Sequence, residues 1–219
     1  MITPYAIVEI QLRGIRPLLL HSSQAMNPKS AINIVSAPIK GRRGKNKTDM
    51  VIASLEKVDW LGSGVWNRVG KPKLDGDFFS WDGYGDPALP VEYIIRCAQA
   101  AGTATKRGTL IKQAVTEHLE TNAVFWDIPA TDATDMWEDP ESFVDIRSVV
   151  VQRQRIMRTR LRIPEGWSIT TQVIVDTSQL DVSEFRNILM DAGRRIGTGD
   201  YRPKFGKFTI ERLETVGTL

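Results

Sequence analysis

One cysteine and two histidines are all the thiol and imidazole chemistry that 219 residues hold. Cys97 alone excludes an intramolecular disulfide and fits a reducing compartment such as the cytoplasm. Together with His21 and His118 it is too small a set for a zinc site of the usual composition, so neither metal nor cofactor is expected. The chain has no G-x-x-x-x-G-K-[ST] phosphate loop and no G-x-S-x-G elbow, which leaves most large enzyme classes unsupported. No apolar run approaches ~20 residues, so no membrane partner is expected. The N-terminus lacks a basic segment followed by an apolar core, so no secretory leader is expected. Internal repeats and low-complexity tracts are absent as well.

What is present suits a globular protein. Hydrophobic residues make up 42% and charged residues 25%, with a formal net charge of only +3. The pI is about 9.0. With so small a surplus, where the cations cluster matters more than how many there are. The fold class expected is α+β, a single domain over residues 1–219 with insertions at 22–47 and 60–86.

Tyr5 to Arg13 alternates, with Ala6, Val8, Ile10 and Leu12 on one face, and reads as a half-buried strand. From Ser22 to Lys47 the period is lost and no acid occurs. Arg42, Arg43, Lys45 and Lys47 form the densest charge block, and a long single-sign loop of this kind favours contact with a polyanion. Thr48 is placed to cap a short helix over residues 50–55. Residues 60–86 collect Trp60, Trp66, Phe78, Phe79, Trp81 and Tyr84 without a helical period. A hairpin or projecting arm is expected there, with most of the aromatics in a satellite core and some free to wedge between bases. Pro90 opens a helix to Ala101 that Gly102 ends, and Thr109 to Leu119 reads as another helix, with His118 as a packing residue.

Next comes a switch of sign. Residues 113–146 contain no Lys or Arg, whereas residues 147–164 contain no acid and six arginines. The acidic block has the carboxylates of a magnesium site but better suits a solvated or docking surface, and opposite blocks side by side suit head-to-tail assembly into an oligomer or filament. Arg158, Arg160 and Arg162 share one parity, and alternate side chains on a strand stand ~6.6–6.8 Å apart. Three arginines at that pitch match the phosphates of an extended single strand, unless acids lie opposite. Arg153 and Arg155 have the other parity, so a bulge or turn is predicted between Gln152 and Met157. Trp167 to Asp176 alternates again, with Ile169, Thr171, Val173 and Val175 inward.

The densest chemistry lies between Asp181 and Leu213. Asp181 and Glu184 have the spacing of a capping box. Val182, Phe185, Ile188, Leu189 and Ala192 recur at helical spacing, and Gly193 is placed to end the helix. Arg194, Arg195, Arg202, Lys204 and Lys207 follow, interleaved with Gly197, Gly199, Gly206, Tyr201 and Phe205. Glycines let a backbone come close to a ligand, cations attract phosphate, and the two aromatics suit packing against sugar or base. A final strand places Phe208 and Ile210 toward the core.

Strand, helix, strand, strand, helix, glycine-rich loop and strand is the order of a ferredoxin-like βαββαβ domain. With Gly193, Gly197, Gly199 and Gly206 inside AGRRIGTGDYRPKFGKF, the C-terminal part resembles the RAMP superfamily, the RRM-like subunits of CRISPR effector complexes. It is particularly similar to the backbone-forming members, which carry a basic loop after the first strand and a projecting thumb. The wording also looks like that of phage and prophage proteins. The resemblance implies a bacterial host cell, single-stranded RNA or DNA as partner, self-assembly along the strand, and further effector subunits as partners. Two departures stand out. Tyr201-Arg202-Pro203-Lys204 separates the glycines from the last strand, and Ser22–Lys47 lacks the Asp with which target-cutting members cleave. A non-catalytic, sequence-independent single-strand binder is therefore expected. The alternatives are a metal-independent RNA endonuclease using His21 as general acid or base, and a phage structural subunit.

Overall fold

A computed structural model of the protein describes residues 4–118, 122–151 and 153–219. In chain order the elements begin β1 (Tyr5–Gly14), β2 (Leu18–Leu19), α1 (Ala31–Lys40), α2 (Asp49–Ser63), β3 (Trp66–Arg68), β4 (Lys71–Asp75), β5 (Phe78–Asp82) and β6 (Gly85–Leu89). They continue α3 (Val91–Thr103), α4 (Gly108–Ala114), β7 (Val115–Glu117), β8 (Ala123–Trp126), α5 (Ala133–Glu138) and α6 (Pro140–Phe143). β9 (Val144–Val151), β10 (Gln154–Ile163), β11 (Ser168–Asp176), α7 (Val182–Asp191), a π-helical turn (Ala192–Ile196) and β12 (Phe208–Thr218) complete the chain.

The architecture is mixed α+β. The chain divides into two compact units, one made of Met1–Leu18, Ala88–Ile128 and Pro164–Leu219, the other of Leu19–Pro87 and Pro129–Ile163. Where the sequence suggested one domain with two inserted loops, both expected insertions, 22–47 and 60–86, fall within the second unit.

The first unit is built on β1. Its alternation buries Ala6, Val8, Ile10 and Leu12 and leaves the intervening side chains partly exposed. β1 pairs antiparallel with β11, Val8 opposite Val173 and Leu12 opposite Ile169, so two apolar faces meet in register. On its other side β1 pairs antiparallel with β12, with register shifts at Ile7/Val8 and Gln11/Leu12. β7 and β8 both pair antiparallel with β11. The strand order is therefore β12–β1–β11–β8. Helix α3 buries Val91, Ile94, Ile95, Cys97 and Ala98, a helical stripe, and lies against α7, which buries Phe185 and Leu189. Phe125 and Trp167 meet edge to face at 5.7 Å, and the Trp167 indole N–H donates to the Arg16 carbonyl (3.0 Å). Fully burying one such ring contributes roughly 1.5–3 kcal/mol.

The second unit centres on α2. Thr48 caps it as predicted, its hydroxyl accepting from the Val51 amide (3.3 Å), but the helix runs on to Ser63 and takes Trp60 into its buried face. Trp60 contacts Trp66, Trp81 and Trp137 at 5.3–5.6 Å between ring centroids, and its indole N–H donates to the Phe143 carbonyl (2.9 Å). The expected hairpin is β4–β5. Its Phe79 is fully buried and Phe78 is exposed under the Lys57 ammonium, 4.5 Å from the ring centroid. Most of the aromatics of this stretch are thus a satellite core.

Two local expectations fail for visible reasons. Residues 22–47 are not an aperiodic loop, because Ser30 caps α1, which buries Ile32, Ser36 and Ile39 despite Pro38 inside it. The helix predicted from Thr109 stops at Ala114, where the chain turns into β7 to pair with β11; its predicted end, Leu119, lies outside the described residues. The bulge or turn predicted between Gln152 and Met157 is present as a hairpin turn near Arg153 (φ 67°), joining β9 to β10; Gln152 lies outside the described residues.

Candidate nucleic-acid interface

In the first unit the glycine-rich segment is a folded turn between α7 and β12. Asp181 caps α7, accepting from the Ser183 amide (2.7 Å), and the Ser183 contacts hold its carboxyl below the usual range. No capping box closes the turn: Glu184 instead meets Arg107 at 2.9 Å. Gly193 does not end the helix either. The chain continues through the π-helical turn, and Gly197, at φ 79°, is the terminating residue, its amide donating to the Ala192 carbonyl (2.9 Å).

The turn is then tied to itself and to the sheet. The Thr198 amide donates to the Gly206 carbonyl and the Gly206 amide to the Pro17 carbonyl, each at 2.8 Å. A Cβ on Gly206 would stand 1.8 Å from the Thr198 carbonyl oxygen, with φ at +71°. One on Gly193 would stand 2.3 Å from the Phe208 carbonyl oxygen. Gly193, Gly197 and Gly206, expected to admit a ligand, thus admit the protein's own backbone. Beneath the turn, the Cys97 thiol donates to the Gly197 carbonyl (3.0 Å), and burial pushes it up to about 12 despite the opposing Arg202 charge.

This packing turns the polar side chains outward. Arg194, Arg195, Arg202 and Lys204 are exposed and Lys207 half-buried. Arg195 lies 3.7 Å from Asp191, an exposed pair worth at most a few tenths of a kcal/mol. Among the described residues no acid forms a salt bridge with Arg194, Arg202 or Lys204. The two aromatics part company: Phe205 is 8% exposed and Tyr201 43%, their rings edge to face at 6.1 Å. Phe205 props Tyr201, and only Tyr201 offers surface.

In the second unit Arg43, Lys45 and Lys47 are exposed, while Arg42 pairs with Asp77 at 2.5 Å. The arginines of β10 are held differently. Arg160 is 3% exposed and lies opposite Asp145, itself 7% exposed, and Asp145 also takes Arg147 through its Nε at 2.6 Å. Arg158 Nη1 lies 2.9 Å from His21 Nε2. Arg162 donates to the carbonyls of Glu141 (2.6 Å) and Ser142 (3.0 Å). An acid does lie opposite, the arrangement that the sequence allowed as the structural alternative. His21, named for acid–base chemistry, faces a guanidinium, which can only donate, so Nε2 is the atom placed to accept in this contact. The contacts that sequence reading missed are Asp145 and Arg147; their i, i+2 spacing on one strand face was the available signal.

Mixed α+β folding is the class that the structure shows. No known family model matches the chain. No curated protein matches it either.

Proposed function

We propose that the chain binds single-stranded nucleic acid without reading its sequence, and that its first unit is a ferredoxin-like domain of the RAMP type. The strand order β12–β1–β11–β8, antiparallel throughout, with α3 and α4 after β1 and α7 between β11 and β12, supports the fold. One observation carries the function. Arg194, Arg195, Arg202 and Lys204 project with Tyr201 from a turn that the Gly197, Thr198 and Gly206 amides tie to the protein's own carbonyls, so they are displayed rather than used for packing. Cations at this density attract phosphates whatever the base, and an exposed aromatic among them stacks on any base. Arg43, Lys45 and Lys47 of the second unit add charge of the same kind. The β10 arginines are engaged by protein groups and are not counted in this surface. Assembly along the strand as an oligomer belongs to the same reading.

The test is fluorescence anisotropy with labelled single-stranded DNA, single-stranded RNA and duplex of about 20 nucleotides, longer than a ~4–16-nucleotide site. Both single strands should bind. With four phosphate contacts from the turn, the affinity should fall with salt at a log–log slope of roughly −2.8. Salt-insensitive binding, or none, would refute the proposal. Nuclease treatment of the purified protein, read by its absorbance ratio, then tells which strand it carries.

A further inference from the structure

The β9–β10 hairpin carries charge that fold stability does not call for. In its antiparallel register Arg158 stands directly opposite Arg147, and Arg160 opposite Asp145. Directly opposite residues share a face, and like charges so placed destabilise a ladder. One side of the hairpin therefore gathers three guanidiniums and one carboxylate. Arg160 and Asp145 are almost entirely buried, and Arg158 and Arg147 are half-buried, so screening by water is weak. His21 lies beside them, its Nε2 2.9 Å from Arg158 Nη1. Asp59 and Lys40 are the nearby charges on the helices: Asp59 acts on Arg158 and on Lys40, with Glu56 beside it. Packing around Asp59 pushes its carboxyl upward, which disfavours the charged form that would offset the arginines. Lys40 adds a further cation.

We propose that the face formed by Arg147, Arg158 and Arg160, with His21 at its side, is a binding site for a phosphate monoester. A tetrahedral dianion accepts from several guanidinium forks at once and relieves the opposition of Arg147 and Arg158. The recessed position of Arg160 suits a terminal phosphate group better than the middle of a passing backbone. Such a group has two sources, a free nucleotide or the phosphorylated end of a strand. The site needs no contribution from the glycine-rich turn and does not rest on the single-strand reading.

Isothermal titration of the full chain with inorganic phosphate, with a nucleoside 5′-monophosphate and with the corresponding nucleoside tests it. Phosphate and the monophosphate should bind saturably and the nucleoside should not. Arg158→Gln should weaken both on the order of tenfold or more, as loss of a charge-assisted hydrogen bond does. Arg158→Lys, which keeps the charge without the fork, should recover only part of this. Arg147→Gln should weaken both in the same way and serves if Arg158→Gln does not fold, as judged by circular dichroism. A strand bearing a 5′-phosphate that binds more tightly than its 5′-hydroxyl counterpart identifies the strand end as the source; equal binding of the two, with the monophosphate still bound, identifies the free nucleotide. No saturable binding of phosphate or monophosphate, or equal binding by the folded variants, overturns the proposal. Because these titrations contain no strand, they can fail while strand binding by the turn persists, and the reverse.

Discussion

Two sets of arginines, those of the glycine-rich turn and those of β10, look alike as residue types but live in different electrostatic settings. Arg194 and Arg202 leave a turn held by the backbone bonds of Gly197, Thr198 and Gly206, and, exposed, they keep their hydration until a ligand arrives. Arg160 has given up its hydration on folding and depends on Asp145 across the strand. Removing a buried partner leaves an uncompensated charge, whereas removing an exposed cation leaves only water. Spacing along the chain says nothing of which case applies; the identity of the opposite strand does.

The largest effect that separates the two sets should come from Asp145→Ala. Losing the acid among three arginines should cost about 3–5 kcal/mol in urea denaturation. Arg202→Ala, compared alongside, should stay within about 0.5 kcal/mol. Equal costs would erase the distinction. Gly206→Ala comes next: it forces a side chain against the Thr198 carbonyl in a left-handed conformation and should destabilise by ~3 kcal/mol. If the glycine served ligand approach instead, stability would hold and strand affinity alone would drop.

A third expectation concerns pH. The Cys97 thiol, ordinarily near 9.0, is pushed to about 12 in the fold. Above pH 9 the unfolded chain releases this proton while the folded one retains it, so the contribution of the thiol is full below pH 9 and lost as pH rises toward 12. The difference in stability between the native chain and Cys97→Ser should change by up to about 1.4 kcal/mol per pH unit in that window, measured by denaturation at several pH values. A difference independent of pH would mean that the thiol is ionised or exposed. The smallest effect is that of single Ala substitutions at Arg194, Arg202 or Lys204, each lowering the salt slope of strand binding by about 0.7.

Much of the scaffold was legible because one signal dominated locally. The alternation of Tyr5–Arg13 and of Trp167–Asp176 and the caps Thr48 and Asp181 each named an element that formed. Helix α1 was missed because Pro38 and the surrounding polar residues mask the spacing of Ile32, Ser36 and Ile39. Val115 fits both a helical stripe and a strand, and pairing with Val175 decided for the strand. At the candidate interface the cations of the turn were readable from composition. The division of labour between Tyr201 and Phe205 was not, because a ring's role as surface or prop depends on what packs behind it.

The pairing of β1 has a consequence for how the protein is made. Its two partners, β11 and β12, are translated some 150 to 200 residues later by their numbering. Until they leave the ribosome, the apolar face of Ala6, Val8, Ile10 and Leu12 has no strand to join. The emerging chain must carry an open edge until those strands are made, and contacts so distant in sequence form slowly. A chaperone that holds nascent apolar strands would find its first substrate in these residues.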